Sequence, residues 1–150
     1  MRKINEAGLS IIKTFEGCRL TVYLDIAGHK TVGYGHMNDL MVVGTVITQE
    51  AADSLLEDDL KAAECATMAQ VKVPLSDNQY SALVSFVFNL GASTLIRSHL
   101  LRFLNNKDYV EAAKEFPKWD EASGNVVPGL LNRRLAEQAL FNKEDSTNEV

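Results

Sequence analysis

Apolar residues recur every three or four positions through most of this chain, a pattern that indicates amphipathic helices. The first helix is predicted from three such residues: Leu9, Ile12 and Phe15. Asn5 is a suitable N-terminal cap, and Gly17 supplies the left-handed residue that commonly ends a helix. The pattern therefore places Glu16 in the last turn of this helix.

A different pattern follows the first helix. Segments 20–23 and 30–33 mix apolar, β-branched and aromatic residues, as short strands do. Residues 25–28 between them are typical of a turn. The sequence therefore predicts a β-hairpin directly after the first helix.

The rest of the chain is predicted to be mainly helical. Four further helix starts are indicated by capping residues or by a proline in the first turn, at Thr48, Ser76–Gln79, Asp108 and Pro128. Another helix, rich in leucine, is predicted over 94–104, whereas 118–127 is predicted to be a loop and 143–150 a polar tail. Helices combined with one small hairpin indicate the α+β class.

Composition limits the kind of protein this can be. A chain of 150 residues with 46% apolar and 23% charged residues is typical of one globular domain. No run of 18 apolar residues occurs, so no membrane span is predicted. The N-terminal residues are interpreted as an amphipathic helix and not as a signal peptide.

The charge balance argues against nucleic acid as a partner. The chain has 15 Lys and Arg against 20 Asp and Glu, a formal net charge of −5. The pair Arg133–Arg134 is too short a basic cluster to bind nucleic acid by itself. An anionic surface would not attract the protein as a whole.

The cysteines and histidines do not form an obvious site. Cys18 and Cys65 are predicted to be small buried apolar residues and not a disulfide, although the position of Cys18 beside Glu16 leaves a redox effect open. The three histidines lack the spacing of metal ligands, so neither a metal nor a cofactor is predicted. His36 is interpreted as a structural residue that donates hydrogen bonds beneath the hairpin.

Candidate chemistry lies at the first helix end and in the hairpin. Glu16 and Asp25 are nine residues apart, and Thr31 follows six residues later. Two carboxyl groups and a hydroxyl are suited to splitting a glycosidic bond, because one carboxyl protonates the leaving oxygen while the other orients water. The negative end of the helix dipole disfavours ionised Glu16, which suits a general acid.

The spacing alone leaves structural interpretations open for all three residues. Asp25 is also typical of a turn residue that binds its own backbone, and Thr31 of an ordinary strand. Glu16 could simply pair with a lysine.

Longer motifs resemble a known family. The run from Phe15 to His36 is similar to the phage-type lysozymes of glycoside hydrolase family 24, nearest the endolysins of lambdoid phages. The similarity continues through 84–91, 98–105 and 128–141, so it extends from about residue 4 to residue 142 in the family's order.

The resemblance implies a lysozyme-like α+β fold in a single domain over 1–150. A small N-terminal lobe with the hairpin, about 1–60, and a larger helical lobe, about 61–142, would be joined by a long helix. The active cleft is expected between them. His29–Lys30 departs from the more apolar pair of many relatives and would add a cation beside the site.

The resemblance also implies roles for individual residues. Glu16 matches the general acid, Asp25 the second carboxylate and Thr31 the hydroxyl that helps to hold the attacking water. Four further matches are expected to line the saccharide site or tune the acid: Met37, Phe88, Asn89 and Arg133.

The implied function is that of an endolysin. It would hydrolyse the β-1,4 bond between N-acetylmuramic acid and N-acetylglucosamine in peptidoglycan glycan strands, as a monomer without cofactor. It would accumulate in the host cytoplasm and reach the wall after a holin opens the membrane. A lytic transglycosylase and a non-catalytic wall-binding module are the alternatives, and the presence of both Asp25 and Thr31 argues against them.

Overall fold

The computed structural model describes residues 2–122 and 124–145, and within them it confirms the α+β class. The helices are Glu6–Glu16 (α1), Gln49–Gln70 (α2), Asp77–Leu90 (α3), Ala92–Arg97 (α4), His99–Asn105 (α5), Tyr109–Glu115 (α6) and Pro128–Asn142 (α7). The strands are Arg19–Leu24 (β1), Lys30–Gly33 (β2), His36–Met37 (β3), Glu121–Ala122 (β4) and Asn125–Val126 (β5). Phe116–Lys118 forms a 3₁₀ turn.

The described residues divide into two compact units. Lys13–Lys61 forms one, here called the hairpin unit, which contains strands β1 to β3. The described residues up to Ile12 and from Ala62 onward form the other, here called the helical unit. Residues of the predicted N-terminal lobe that precede Lys13 therefore group with the helices.

The start and end of α1 follow the predicted capping. The side-chain oxygen of Asn5 accepts a hydrogen bond from the Gly8 N–H at 2.9 Å, and Gly17 has a φ of +70° directly after Glu16. Ile12 is fully buried, but Phe15 is 36% exposed. The apolar face of this helix is therefore narrower than its sequence pattern indicates.

The hairpin unit contains an antiparallel sheet in the order β1-β2-β3. Thr31 in the central strand is paired with Tyr23 on one side and Met37 on the other. Because directly opposed residues point to the same face of a sheet, these three side chains share a face. The side chains of the neighbouring pair, Val32 and His36, lie on the opposite face of the sheet.

Helix α2 packs against the Val32–His36 face. Val32 is fully buried, and a Cβ added to Gly33 would lie 3.4 Å from the Cβ of Ala52. His36 Nδ1 lies 2.8 Å from Asp59 Oδ2, which attaches β3 to this helix. The predicted structural role of His36 is confirmed. Thr48 caps α2 as expected, with its hydroxyl 3.0 Å from the Ala51 nitrogen.

Helix α3 lies at the centre of the helical unit. The predicted capping box is present, because Ser76 Oγ accepts from the Gln79 N–H at 3.0 Å and Gln79 Oε1 accepts from the Ser76 N–H at 2.9 Å. Phe86 on this helix meets the ring of Phe116 edge to face, with ring centres 5.7 Å apart. Such pairs add to the stabilisation from apolar burial.

Two predicted segments differ from the structure. The helix expected over 94–104 is divided at Ser98, which is extended with φ −79° and ψ 148°. Its hydroxyl accepts from the Leu101 N–H at 3.1 Å and so begins α5 as a new helix. The loop expected over 118–127 contains the short β4–β5 hairpin, with Ser123 outside the described residues.

The prediction that both cysteines are buried is wrong. Cys18 and Cys65 are exposed, and neither forms a disulfide. Cys18 follows the helix-ending glycine, where the chain passes along the surface towards β1.

The C-terminal residues in the described part of the chain bind the start of α3. The Asp145 carboxylate accepts from the Asp77 N–H at 3.0 Å and from the Asn78 N–H at 2.9 Å. The Asn78 side chain donates to the Lys143 carbonyl at 3.1 Å. The first amides of a helix have no partner within it, so Asp145 acts as a second cap from a distant part of the sequence.

Within residues 2–122 and 124–145, none of the helices is both long and apolar enough to cross a bilayer.

We expect His36→Asn to lower the free energy of unfolding by about 1.5 kcal/mol, because it removes a partly buried hydrogen bond to a charged group. His29→Asn is the matched control, since His29 lies 3.7 Å from Asp39 with both side chains at least half exposed. Denaturant unfolding of the two variants measures the difference. Equal losses would show that the His36–Asp59 contact does not stabilise the hairpin unit.

We expect Asp145→Ala to lower the melting temperature by about 2–4 °C at pH 7, since it removes a helix cap. The Asn78 and Asp77 N–H groups, which donate to the Asp145 carboxylate, hold its pKa below the usual value of an aspartate. A depressed carboxyl pKa stabilises the fold above the unfolded pKa and loses this effect as pH falls through the folded pKa. The difference from wild type should therefore shrink below about pH 4.

Glu144→Ala is the control for this experiment, because it leaves in place the Glu144 backbone carbonyl to which Asn78 donates. A loss in Glu144→Ala equal to that in Asp145→Ala, or a difference that does not depend on pH, would contradict capping by Asp145.

Candidate active site

Glu16 and Asp25 lie in one open groove of the hairpin unit, with a volume of about 680 Å³. Its lining comes from the end of α1, from β1 and from the turn after it: Glu16, Arg19, Tyr23, Leu24, Asp25, Ile26 and Ala27. The two predicted carboxyl groups are therefore brought together by the helix end and the hairpin.

The Glu16 carboxyl lies beside a turn whose backbone conformation favours glycine. Gly35 has a φ of +81°, and a Cβ added there would lie 3.6 Å from Glu16 Oε1. A side chain at Gly35 would therefore both strain the backbone and contact the carboxyl. The Gly33-Tyr-Gly35 segment is thus a close-packed turn, and it leaves Glu16 half-buried at the groove.

Asp25 is fixed by the backbone of the turn. One carboxylate oxygen, Oδ1, accepts from the His29 N–H at 2.8 Å, and the Asp25 N–H donates to the His29 carbonyl at 2.9 Å. The structural interpretation of Asp25 as a turn residue is therefore correct. It does not exclude chemistry, because a carboxylate has a second oxygen and further lone pairs.

Thr31 is hydrogen-bonded to the backbone of the same residue, His29. Its hydroxyl donates to the His29 carbonyl at 3.0 Å, and the residue is only 3% exposed. Because the hydroxyl proton is used in this bond, the oxygen is left as an acceptor. His29 therefore orients both Asp25, through its N–H, and Thr31, through its carbonyl.

The charges around the hairpin differ from those expected at His29–Lys30. Lys30 Nζ donates to the Asp39 carbonyl at 3.2 Å. The cation on the groove wall is instead Arg19, whose guanidinium lies 4.2 Å from the centre of the Tyr23 ring. Arg19 and Tyr23 are four positions apart on β1. Because side chains alternate along a strand, this even spacing could have indicated that both lie on one face.

The remaining predicted residues are distributed between the two units. Met37 is 59% exposed and paired with Thr31 in the sheet. Phe88 and Asn89 are half-buried in the last turn of α3, in the helical unit. Arg133 in α7 is 3% exposed, and its Nε donates to Glu137 Oε2 at 3.2 Å.

Two fully buried residues of α7, Arg134 and Glu137, were not identified from the sequence as part of a site. Arg134 Nη2 donates to Asn89 Oδ1 at 2.5 Å, and Arg134 Nε lies 3.1 Å from Glu137 Oε1. The sequence does contain a signal for this cluster. Glu137 follows Arg133 by four positions and Arg134 by three, a spacing that places charged side chains on one helix face.

Burial dominates the titration of this cluster. Burial raises the pKa of Glu137, opposed by Arg134, by the Ser85 hydroxyl and by Arg133. Burial likewise lowers the pKa of Arg134, opposed by the charge of Glu137. Burial thus disfavours both charged forms, and the neighbouring charges offset its effect only in part.

In the part of the chain that the structure describes, no group of three or more His, Cys, Asp or Glu side chains is arranged to hold a metal ion.

Comparison with known proteins identifies the family. The family model described as phage lysozyme matches residues 13–137. The endolysin of Acyrthosiphon pisum secondary endosymbiont phage 1 is 46% identical over 142 residues, which cover 92% of this chain and 97% of that protein.

Solved structures agree with this match. The muramidase domain of SpmX from Asticaccaulis excentricus has a TM-score of 0.87 at 37% identity, covering 96% of this chain and all of that domain. A mutant of the lysozyme of Salmonella phage P22 has a TM-score of 0.86 at 41% identity. The match covers 94% of this chain and 99% of that lysozyme. The expected lysozyme-like fold is confirmed, and the chain belongs to the phage lysozyme family of muramidases.

Proposed function

We propose that this enzyme hydrolyses the β-1,4 bond between N-acetylmuramic acid and N-acetylglucosamine in peptidoglycan by single displacement. Glu16 acts as the general acid, and Asp25 and Thr31 position the attacking water. The observation that carries the proposal is that Asp25 and Thr31 are both hydrogen-bonded to the backbone of one residue, His29. Two acceptor groups held to the backbone of one residue in a closed turn can orient a single water molecule.

The proposed water makes two hydrogen bonds to the hairpin. Thr31 Oγ1 accepts one water proton because its own proton is donated to His29. The Asp25 carboxylate accepts the other, since Oδ2 has no partner among the described residues. A water that donates both protons in this way directs a lone pair at the anomeric carbon.

The reaction then balances in one step. The water oxygen bonds to the anomeric carbon as the bond to the leaving oxygen breaks. Glu16 gives its proton to that leaving oxygen, and Asp25 receives a proton from the water. Attack from the face opposite the leaving group inverts the anomeric carbon.

Contacts with the glycan are proposed for Met37, Phe88 and Asn89, and an electrostatic effect on the acid for Arg133. The exposure of Met37 and the half-burial of Phe88 and Asn89 support direct contact. The burial of Arg133 supports an indirect effect through charge.

The biological role that we propose is host-cell lysis. The relatives named endolysins support it. The enzyme would accumulate in the host cytoplasm as a monomer and reach the peptidoglycan after a holin opens the membrane.

We expect Glu16→Gln to lower the rate of cell-wall hydrolysis by on the order of 100-fold or more, because an amide cannot protonate the leaving oxygen. Glu6→Gln is the matched control, since Glu6 is an exposed glutamate in the first turn of the same helix. Turbidity loss of a peptidoglycan suspension measures the rate, and circular dichroism confirms the fold. A folded Glu16→Gln protein with the wild-type rate would exclude Glu16 as the acid.

We expect the first product of wild-type cleavage to have the α configuration at its new reducing end, since a single displacement inverts the β bond. Proton NMR of freshly cleaved glycan measures the anomer before it equilibrates. An initial β-anomer would indicate a covalent intermediate, and a 1,6-anhydro product would indicate a transglycosylase. Either result would refute the proposed water mechanism.

A further inference from the structure

We propose that Arg134 and Glu137 are positioning residues that set the direction of the Asn89 side-chain amide, so that Asn89 presents its NH₂ group to an oxygen that only accepts hydrogen bonds. On an N-acetylated glycan, the acetamido carbonyl is the strongest oxygen of this kind. The inference rests on the proposed glycan contact of Asn89, and it adds the polarity of that contact and the buried groups that impose it.

The direction of the amide follows from the chemistry of arginine. Arg134 Nη2 lies 2.5 Å from the Asn89 side chain. A guanidinium has donors and no acceptor, so the amide atom that faces it must be the oxygen. The amide nitrogen is then directed away from Arg134. It has no acceptor among the described residues, and Asn89 is only half-buried, so its N–H groups are accessible to a ligand.

Arg134 is itself held from two sides. Its guanidinium lies 5.2 Å from the centre of the Phe86 ring, and its Nε lies 3.1 Å from Glu137 Oε1. The second contact lacks hydrogen-bond geometry, so it acts mainly as charge attraction. Because Arg134 is fully buried, it has little freedom to release Asn89 and rotate elsewhere.

Glu137 is fixed in turn by groups on both α3 and α7. Ser85 Oγ donates to Glu137 Oε2 at 2.5 Å, and Arg133 Nε donates to the same oxygen at 3.2 Å. Arg133 Nη2 also donates to the Ser85 carbonyl at 3.2 Å. The side chains therefore form a continuous series from Ser85 through Glu137 and Arg134 to Asn89.

Stability alone does not account for this arrangement. Arg134 Nε, Arg134 Nη1 and Glu137 Oε1 are buried without a hydrogen bond to any described residue. A buried ion cluster with incomplete hydrogen bonding contributes less stability than apolar side chains of similar size. The orientation of Asn89 is the effect that apolar replacements could not reproduce.

Asn89→Asp tests the polarity of the contact. The aspartate keeps an oxygen for Arg134 but replaces the N–H donors by a second acceptor. A sugar hydroxyl could rotate and donate to this new oxygen, whereas an acetamido carbonyl could not. We therefore expect the KM for peptidoglycan glycan strands to rise about tenfold, as for loss of one hydrogen bond, without a loss of melting temperature.

Asn106→Asp is the matched control. Asn106 is exposed, and its replacement adds the same negative charge to the helical unit. It should leave KM unchanged. A wild-type KM in Asn89→Asp, or an equal rise in Asn106→Asp, would overturn the proposed donor role.

Glu137→Gln tests positioning through Arg134. It removes the charge but keeps the shape, so the KM should rise several-fold, and the effect should be less than additive with Asn89→Asp because both changes act on one contact. Glu115→Gln is the control, since Glu115 is also buried in the helical unit but is paired with Lys118. Full additivity, or an equal effect from Glu115→Gln, would show that Glu137 does not act through Asn89.

Side-chain NMR separates this inference from the proposed function, because it does not require catalysis. In the wild-type protein the Asn89 NH₂ group should be as ordered as the backbone, whereas the exposed Asn106 NH₂ group should be mobile. Arg134→Lys and Glu137→Gln should each release Asn89. An Asn89 NH₂ group that is as mobile in wild type as that of Asn106 would refute the inference, even if neither variant folds.

A ligand titration completes the test. An N-acetylglucosamine oligomer should shift the Asn89 NH₂ signal, and a glucosamine oligomer without acetyl groups should not. Equal shifts from both oligomers would exclude recognition of the acetamido carbonyl. An ordered Asn89 together with no glycan cleavage would instead refute the proposed function while retaining the positioning role of Arg134.

Discussion

The helical unit depends on the burial of α3 on nearly all sides. Nine of its residues are buried, including Asn78, Ser81 and Ser85. A helix without a solvent face must find internal partners for its polar groups, because an unpaired buried polar group is costly. Ser81 Oγ accordingly accepts from the Asn5 N–H at 2.9 Å, and Ser85 Oγ donates to Glu137 at 2.5 Å. These polar contacts connect α3 with the N-terminal residues and with α7.

The hairpin unit is ordered by backbone hydrogen bonds as well as by the burial of apolar side chains. One face of its sheet packs on α2 through Val32 and His36, and the other carries Tyr23, Thr31 and Met37. Because its turn is closed through His29, Asp25 and Thr31 have fixed orientations although Asp25 lies at an open groove. Groups proposed for proton transfer thus stay near water, while the atoms that orient them belong to the backbone.

The helical unit orients its proposed glycan contact by the opposite means. Asn89 is directed by a fully buried arginine and a fully buried glutamate, whose charges are compensated within α3 and α7. A formal net charge of −5 has little bearing on either arrangement, since short contacts between buried groups outweigh distant screened charges.

The sequence by itself determined the features that depend on neighbouring residues. The Asn5 cap, the end of α1 at Gly17, the capping box at Ser76 and the turn at Asp25 were all predictable, because each is a bond or a backbone angle within about four residues. Ser98 shows the limit of this approach: a serine capping α5 interrupts a leucine-rich pattern that is otherwise continuous.

Only the tertiary structure decided which distant residues meet. Asp145 capping α3, Arg134 binding Asn89, and the exposure of Phe15 and Cys18 depend on how segments far apart in the chain pack. Periodicity shows that a helix has an apolar face, but it does not show what covers that face or which charges are enclosed there. Arg134 and Glu137 could therefore be recognised as a buried pair only after α3 and α7 were seen to pack together.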